Sequence, residues 1–224
     1  MTKQHKHILT GADDSNDSDE FIPIISPEED TENEDTIFPD ELPILPVRNT
    51  VLFPGVVIPI TVGRQKSIKL VKKAYKGDKL LGVVTQRKAN ADEPTKDDLY
   101  TVGCMAVIVK LLTLPDGNTT IIIQGKRKFE LGEIVKEDPY MTAKVTYLEE
   151  TTPEKKTKEI KALLQSLKDA AMKIIKINPD IPQEAQIALE NIESNTFLVH
   201  FLSSNVNIEL AEKQDLLGLS LIHI

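Results

Sequence analysis

The sequence predicts an α+β chain: a small β-barrel-like domain with one or two helices, then an α-helical bundle, behind a disordered acidic tail. Three observations carry that reading. Pro43, Pro46, Pro54 and Pro59 interrupt the β-branched and aliphatic run from Leu42 to Thr61, which excludes a helix because proline lacks an amide donor and fixes φ. After Glu150 the apolar period changes from two to 3.6. The first 41 residues hold 13 Asp or Glu against Lys3 and Lys6, leaving 25 basic and 22 acidic residues elsewhere, so the net charge of -8 belongs to the tail.

The tail, residues 1–40, is poor in aromatics and rich in Asp, Glu, Ser and Asn, and cannot bury enough apolar surface to offset chain entropy. Within it, Phe21 to Ile25 is an apolar island able to dock on a partner or on the body of the protein. Residues 41–150 form the β-rich domain. Its expected strands are Ile44–Val47, Val56–Val62, Lys79–Gln86, Thr101–Leu112, Thr119–Ile123, Phe129–Val135 and Met141–Leu148, bounded by Gly, Pro, Asp and Asn. Leu114-Pro115-Asp116-Gly117-Asn118 reads as a hairpin turn. One helix, Arg64 to about Tyr75, presents Ile68, Val71 and Tyr75 on one face and ends at Gly77-Asp78. Apolar runs such as Ile121-Ile122-Ile123 are buried on both faces, which favours a closed or nearly closed barrel over an open sheet.

Residues 151–218 form the helical part. Ile160, Leu163, Leu164, Leu167, Ala171, Ile174 and Ile175 make one stripe on a helix that Thr151-Thr152-Pro153-Glu154 can cap and Asn178-Pro179-Asp180 stops. Shorter helices follow at 182–192, 196–203 and 207–217. The closing residues 219–224, LSLIHI, break the charged helical pattern and read as a non-native tail, like translated adapter DNA behind a truncated gene.

Several chemistries find little or no support in the sequence. One cysteine, Cys104 in an apolar strand, provides neither a disulfide nor a cysteine zinc site, and most cysteines so placed are core residues. No apolar run is long enough to span a membrane, and the N-terminus lacks a signal-peptide apolar region, so a soluble, unexported, cytoplasmic protein is expected. There is no GxxxxGK[ST] loop to cradle phosphates. Gly125-Lys126 is the nearest imitation, but Thr120 and Arg127 stand at the other key positions, and Lys126-Arg127-Lys128 reads as a solvated strand connection. No GxSxG elbow is present. His5 and His7 lie in the tail, and His200 reads as a core-edge residue. A body with few aromatics and charge near +3 lacks the stacking platform and field of a nucleic-acid binder.

LPILPVRNTVLFPGVVIPITVGRQKSI resembles the opening of the substrate-binding N-terminal domain of Lon, the ATP-dependent protease. LYTVGCMAVIVKLLTLPDGNTTIIIQGKRKFEL resembles the family's second signature, a Val-Gly strand followed by a Leu-Pro-Asp-Gly hairpin. SNTFLVHFLSSNVNIELAEKQDLL resembles its helical continuation, so the likeness spans roughly residues 40 to 217. It implies a small PUA-like barrel that captures unfolded or degron-bearing polypeptides and helps organise a homohexamer. It also implies ATP and Mg for the intact parent, whose ATPase and Ser-Lys protease modules have no counterpart here. No catalytic residue, cofactor or metal is carried over to this chain. Two rivals stand beside this reading, a free-standing adaptor of the same fold and an RNA-binding barrel.

For the polypeptide site, Leu52, Phe53 and Val56 are candidates if they line the barrel rim, where they can meet extended apolar segments. The competing reading places them in the core. Arg64, Gln65 and Lys66 stand at the predicted helix start, where free amides and cationic side chains favour carboxylates of acidic degrons, against the plainer reading of solvated capping residues. Without an ATPase ring, monomers or weak oligomers are expected.

Overall fold

The computed structural model describes residues 38–113, 119–149, 158–178, 181 and 183–219. The acidic tail with Phe21–Ile25, the 114–118 turn, the 151–154 cap, Pro179-Asp180 and residues 220–224 lie outside the described residues.

Seven elements make the first part: β1 (Glu41–Val47), β2 (Val57–Val62), α1 (Gln65–Lys76), β3 (Leu80–Thr85), β4 (Val102–Thr113), β5 (Thr119–Lys136) and β6 (Thr142–Tyr147). Four helices follow: α2 (Lys158–Ile177), α3 (Gln183–Glu190), α4 (Asn195–Asn205) and α5 (Leu210–Gly218). The strands form one six-stranded sheet in the order β2-β5-β4-β3-β1-β6, and β5 pairs with β6 as well. Among the described strands only β1 and β3 run parallel, with α1 in the crossover between β2 and β3. Thr113 lies opposite Thr119, as a hairpin between β4 and β5 requires.

The two strands expected at Thr119–Ile123 and Phe129–Val135 are one 18-residue strand. Its first part pairs with β2 and its last part with β6. Register shifts along β4–β5 and β5–β6 bend the strand enough to serve both partners. The misleading signal is Gly125 followed by Lys126-Arg127-Lys128, which looks like a turn. In the structure a Cβ on Gly125 would stand 2.3 Å from the Phe53 carbonyl oxygen, so glycine there permits close backbone approach, not a turn. Lys128 is a correction of the same kind: instead of being solvated it is 3% exposed, and its Nζ donates to the Leu219 carbonyl at 2.8 Å.

Side chains alternate across the strands and fill two cores. One joins Leu45 and Val47 of β1, Val62 of β2 and strands β3 to β5 to Leu70, Val71 and Ala74 of α1, with Leu52 and Cys104 inside it. The other gathers Leu42, Ile44, Met105, Phe129, Leu131 and Ala143. Full burial of each large side chain contributes about 1.5–3 kcal/mol. Helices α2 to α4 share a third cluster around Leu189, Ile192, Leu198 and Phe201. Helices α4 and α5 also meet the first part of the chain, since Phe197, Leu210 and Leu217 pack on Val51, Phe53 and Val56.

Candidate functional site

The apolar trio lies inside the molecule. Leu52, Phe53 and Val56 are each at most 2% exposed: Leu52 belongs to the core under α1, and Phe53 and Val56 are covered by α4 and α5. Pro54-Gly55 makes the sharp turn between them, with Gly55 at φ 76. The Gly55 amide donates to the Gly125 carbonyl, and the Gly125 amide to the Val56 carbonyl, both at 2.9 Å. Phe53 and Val56 are therefore the seat on which α4 and α5 sit, and none of the three forms an open rim. The covering residues arrive about 140 positions later, beyond the reach of any local pattern.

A polar pair, the buried Lys128 and the half-buried His200, stands beside this seat. The His200 ring lies 6.2 Å from the Phe53 ring and its N–H donates to the Pro54 carbonyl. Burial, then the nearby charge of Lys128, pull the His200 pKa down to about 4. Lys128 in turn holds the C-terminal end of α5 through the Leu219 carbonyl, where a cation also complements the helix dipole. Gln214 of α5 adds a second tie, its Nε2 donating to the Val102 carbonyl at 2.7 Å.

The charged trio has a different fate. Arg64 precedes α1 in extended conformation and makes no side-chain cap. Its guanidinium crosses to the buried Gln86 side chain and donates to the Ala91 carbonyl at 3.2 Å. Gln86 donates to that same carbonyl at 3.1 Å and Arg48 at 3.2 Å, with Arg48 also paired to Asp92 at 2.8 Å. Burial, followed by the charge of Arg48, lowers the Arg64 pKa from its ordinary value, and Asp92 opposes this. Lys66 pairs with Asp138 at 3.3 Å and Glu93 at 3.4 Å, and Asp138 first, then Glu93, raise its pKa. Gln65 is exposed. Arg48, Gln86, Asp92 and Glu93 were not legible as partners, because each contact spans between 22 and 44 residues of sequence. Only the Thr95–Asp98 capping box at the following 3₁₀ turn has a local signature.

Two clefts meet at this cluster. One, of about 410 Å³, runs between Leu45–Arg48 and Pro59–Arg64. The other, of about 390 Å³, lies between the first turn of α1, residues 92–95 and the Glu137–Met141 segment. Pro46, Arg64, Ser67 and Asp92 line both. Their walls mix partly exposed apolar groups, among them Pro59, Ile60, Tyr140 and Met141, with Gln65 and Lys66. Such a groove suits an extended polypeptide with alternating apolar and polar side chains. Among the described residues no group of three or more His, Cys, Asp or Glu is placed to hold a metal, and no helix is long and apolar enough to cross a membrane.

A family model described as the ATP-dependent protease La (LON) substrate-binding domain matches residues 41–220. The Lon protease of Cytophaga hutchinsonii is 60% identical over 198 residues, which are 88% of this chain and 24% of that protein. The Lon protease of Flavobacterium johnsoniae is 49% identical over 201 residues, 90% of this chain and 25% of that protein. The chain thus spans about a quarter of the length of these relatives. The N-terminal domain of the Mycobacterium avium complex Lon protease superposes with a TM-score of 0.65 at 20% identity, covering 80% of this chain and 90% of that one. A Lon N-terminal domain protein from Xanthomonas campestris gives 0.57 at 17% identity with the same coverage. These two structures share the fold, and the family model and the close relatives fix the kinship: the chain belongs to the Lon substrate-binding domain family, as an N-terminal Lon region.

Proposed function

We propose that this chain is the client-recognition and assembly region of a cytoplasmic, ATP-dependent Lon-type serine protease, capturing misfolded or tagged polypeptides for degradation by modules outside it. The observation that carries this reading is the family match over residues 41–220. ATP and Mg belong to the other modules of such a protease. Gly125-Lys126, the nearest approach to a phosphate loop, lies within β5, where a Cβ at Gly125 would collide with the Phe53 carbonyl, so no phosphate cradle exists there.

The client groove is the pair of clefts joined at Arg64. Arg64 shapes it by holding the 87–95 loop, while Gln65, Lys66, Ile60 and Tyr140 offer contacts to an extended segment. Reduced, carboxymethylated casein, followed by fluorescence anisotropy, tests the assignment. The double variant Ile60→Ser, Tyr140→Ser is expected to weaken binding at least about tenfold, the equivalent of about 1.4 kcal/mol. Binding is measured at a temperature where circular dichroism shows both proteins fully folded, because Ile60 and Tyr140 also pack on the core under α1 and their loss lowers the melting temperature. Unchanged affinity would remove the clefts from client binding.

For assembly, α2 presents Leu163, Leu167, Ala170, Ile174 and Ile177 to solvent. Their 4-3-4-3 spacing is the seam of a coiled coil. Ile174 and Ile177 are 62% and 81% exposed, an unusual cost for a helix whose opposite face, Ala171, Met172 and Ile175, already packs on α3 and α4. This stripe supports self-association within a homohexamer.

A further inference from the structure

Helix α1 carries a dense positive stripe. Lys66, Lys69, Lys72, Lys73 and Lys76 are all exposed. At about 100° per residue they fall within about 120° of the helix circumference, along about 15 Å of its length. The helix contains no acidic residue, and among the described residues only Lys66 of the five has carboxylate partners. Lys73 instead lies over the Tyr140 ring, 5.7 Å from its centroid.

The complementary charge is in the same chain. Residues 1–37 contain eleven Asp or Glu against two Lys, with five acids in residues 13–20 and six in residues 28–35. This segment joins the body at Phe38, whose ring meets Tyr147 edge-on at 5.3 Å under the Arg127 guanidinium. The Tyr147 hydroxyl donates to the Pro39 carbonyl at 2.9 Å. From there β1 runs beside β6 until the Ile44 amide donates to the Met141 carbonyl, next to Tyr140 and the lysine stripe. That path is about 20 Å long at about 3.3 Å per residue. The nearer acidic cluster starts three residues before Phe38 and extends seven further, a reach of about 10–35 Å when the chain doubles back. A tether of this length keeps the clusters at roughly millimolar effective concentration around α1.

We propose that the acidic clusters at residues 13–20 and 28–35 dock in cis on the lysine stripe of α1. The contact is one of charge, so it weakens as the Debye length shortens from about 10 Å at 0.1 M salt. Docked there, the tail lies along the cleft wall that Gln65 and Lys66 form.

Zero-length carbodiimide coupling on the full chain, read by mass spectrometry on an equal mixture of isotopically light and heavy protein, tests this. Bonds from the two clusters to Lys69, Lys72, Lys73 and Lys76 are expected within single isotopic chains. They should exceed bonds to the exposed Lys110 and Lys144 by at least about fivefold at 0.02 M salt, and be lost at about 0.5 M. The variant Lys69→Gln, Lys72→Gln, Lys76→Gln should lose them while keeping its thermal melt. Independently, replacing the eleven tail acids by Asn or Gln should shift the α1 amide resonances. Bonds spread evenly over exposed lysines, bonds only between light and heavy chains, or α1 resonances unmoved by tail neutralisation would each overturn the proposal.

Discussion

Two side chains show how single groups set the properties of the site. Arg64 satisfies the side-chain oxygen of Gln86, which is 1% exposed, and removing a charged donor from a buried acceptor costs about 1.5–3 kcal/mol. Arg64→Ala is therefore expected to lower unfolding free energy by about that amount in urea titrations and to speed amide exchange in residues 87–95. Charge reversal there would disturb the fold itself, so Lys66 and Gln65 are the cleaner probes of client contact. His200 gives a pH signature. Its pKa is about 4 when folded against an ordinary 6.5, so between those values the unfolded chain holds more protons than the folded one. The contribution is fully present above about pH 6.5 and is lost as pH falls towards 4, at up to about 1.4 kcal/mol per pH unit. Urea midpoints for the wild type and His200→Gln, compared at several pH values in this window, should show the steeper decline only in the wild type.

At the level of elements, α2 is the one whose sequence and environment disagree most. Seven apolar residues of its expected single stripe divide in the structure between a packed face, with Ala171 and Ile175, and an open one, with Leu163, Leu167 and Ile174. Replacing Leu163, Leu167, Ile174 and Ile177 by Gln is expected to abolish self-association in multi-angle light scattering at high protein concentration without loss of helicity; wild-type protein that stays monomeric at all concentrations would contradict the role given to the stripe. The same element shows what local sequence can report. Periodicity located α2 and α1 and the β-branched runs located every strand, because each signal is written within one element. Division of a stripe between two neighbours is not local. Neither is the continuity of β5 through Gly125, where a turn-like composition masks a close backbone approach. The burial of Phe53 and Val56 likewise depends on α4 and α5 and that of Leu52 on the core under α1, whereas the positions of Arg64, Gln65 and Lys66 at the start of α1 could be read directly and only their partners could not.

Across the whole molecule, the ties at the end of α5 join distant parts of the chain. Lys128 grips the Leu219 carbonyl and Gln214 the Val102 carbonyl, so the last described turn is fastened to two adjacent antiparallel strands, β4 and β5. Seen mechanically, residue 219 is a handle. Traction applied there is passed first to Lys128 and then into the β4–β5 ladder, and the adjoining Leu217, Phe53 and Val56 cluster takes up load beside it. In single-molecule pulling between residues 41 and 219, Lys128→Met should let α5 peel away at lower force while the sheet still ruptures as in the wild type. Load applied at residue 219 would thus move α5 and the sheet as one body, and would be felt at the Pro54-Gly55 turn before it reached the clefts.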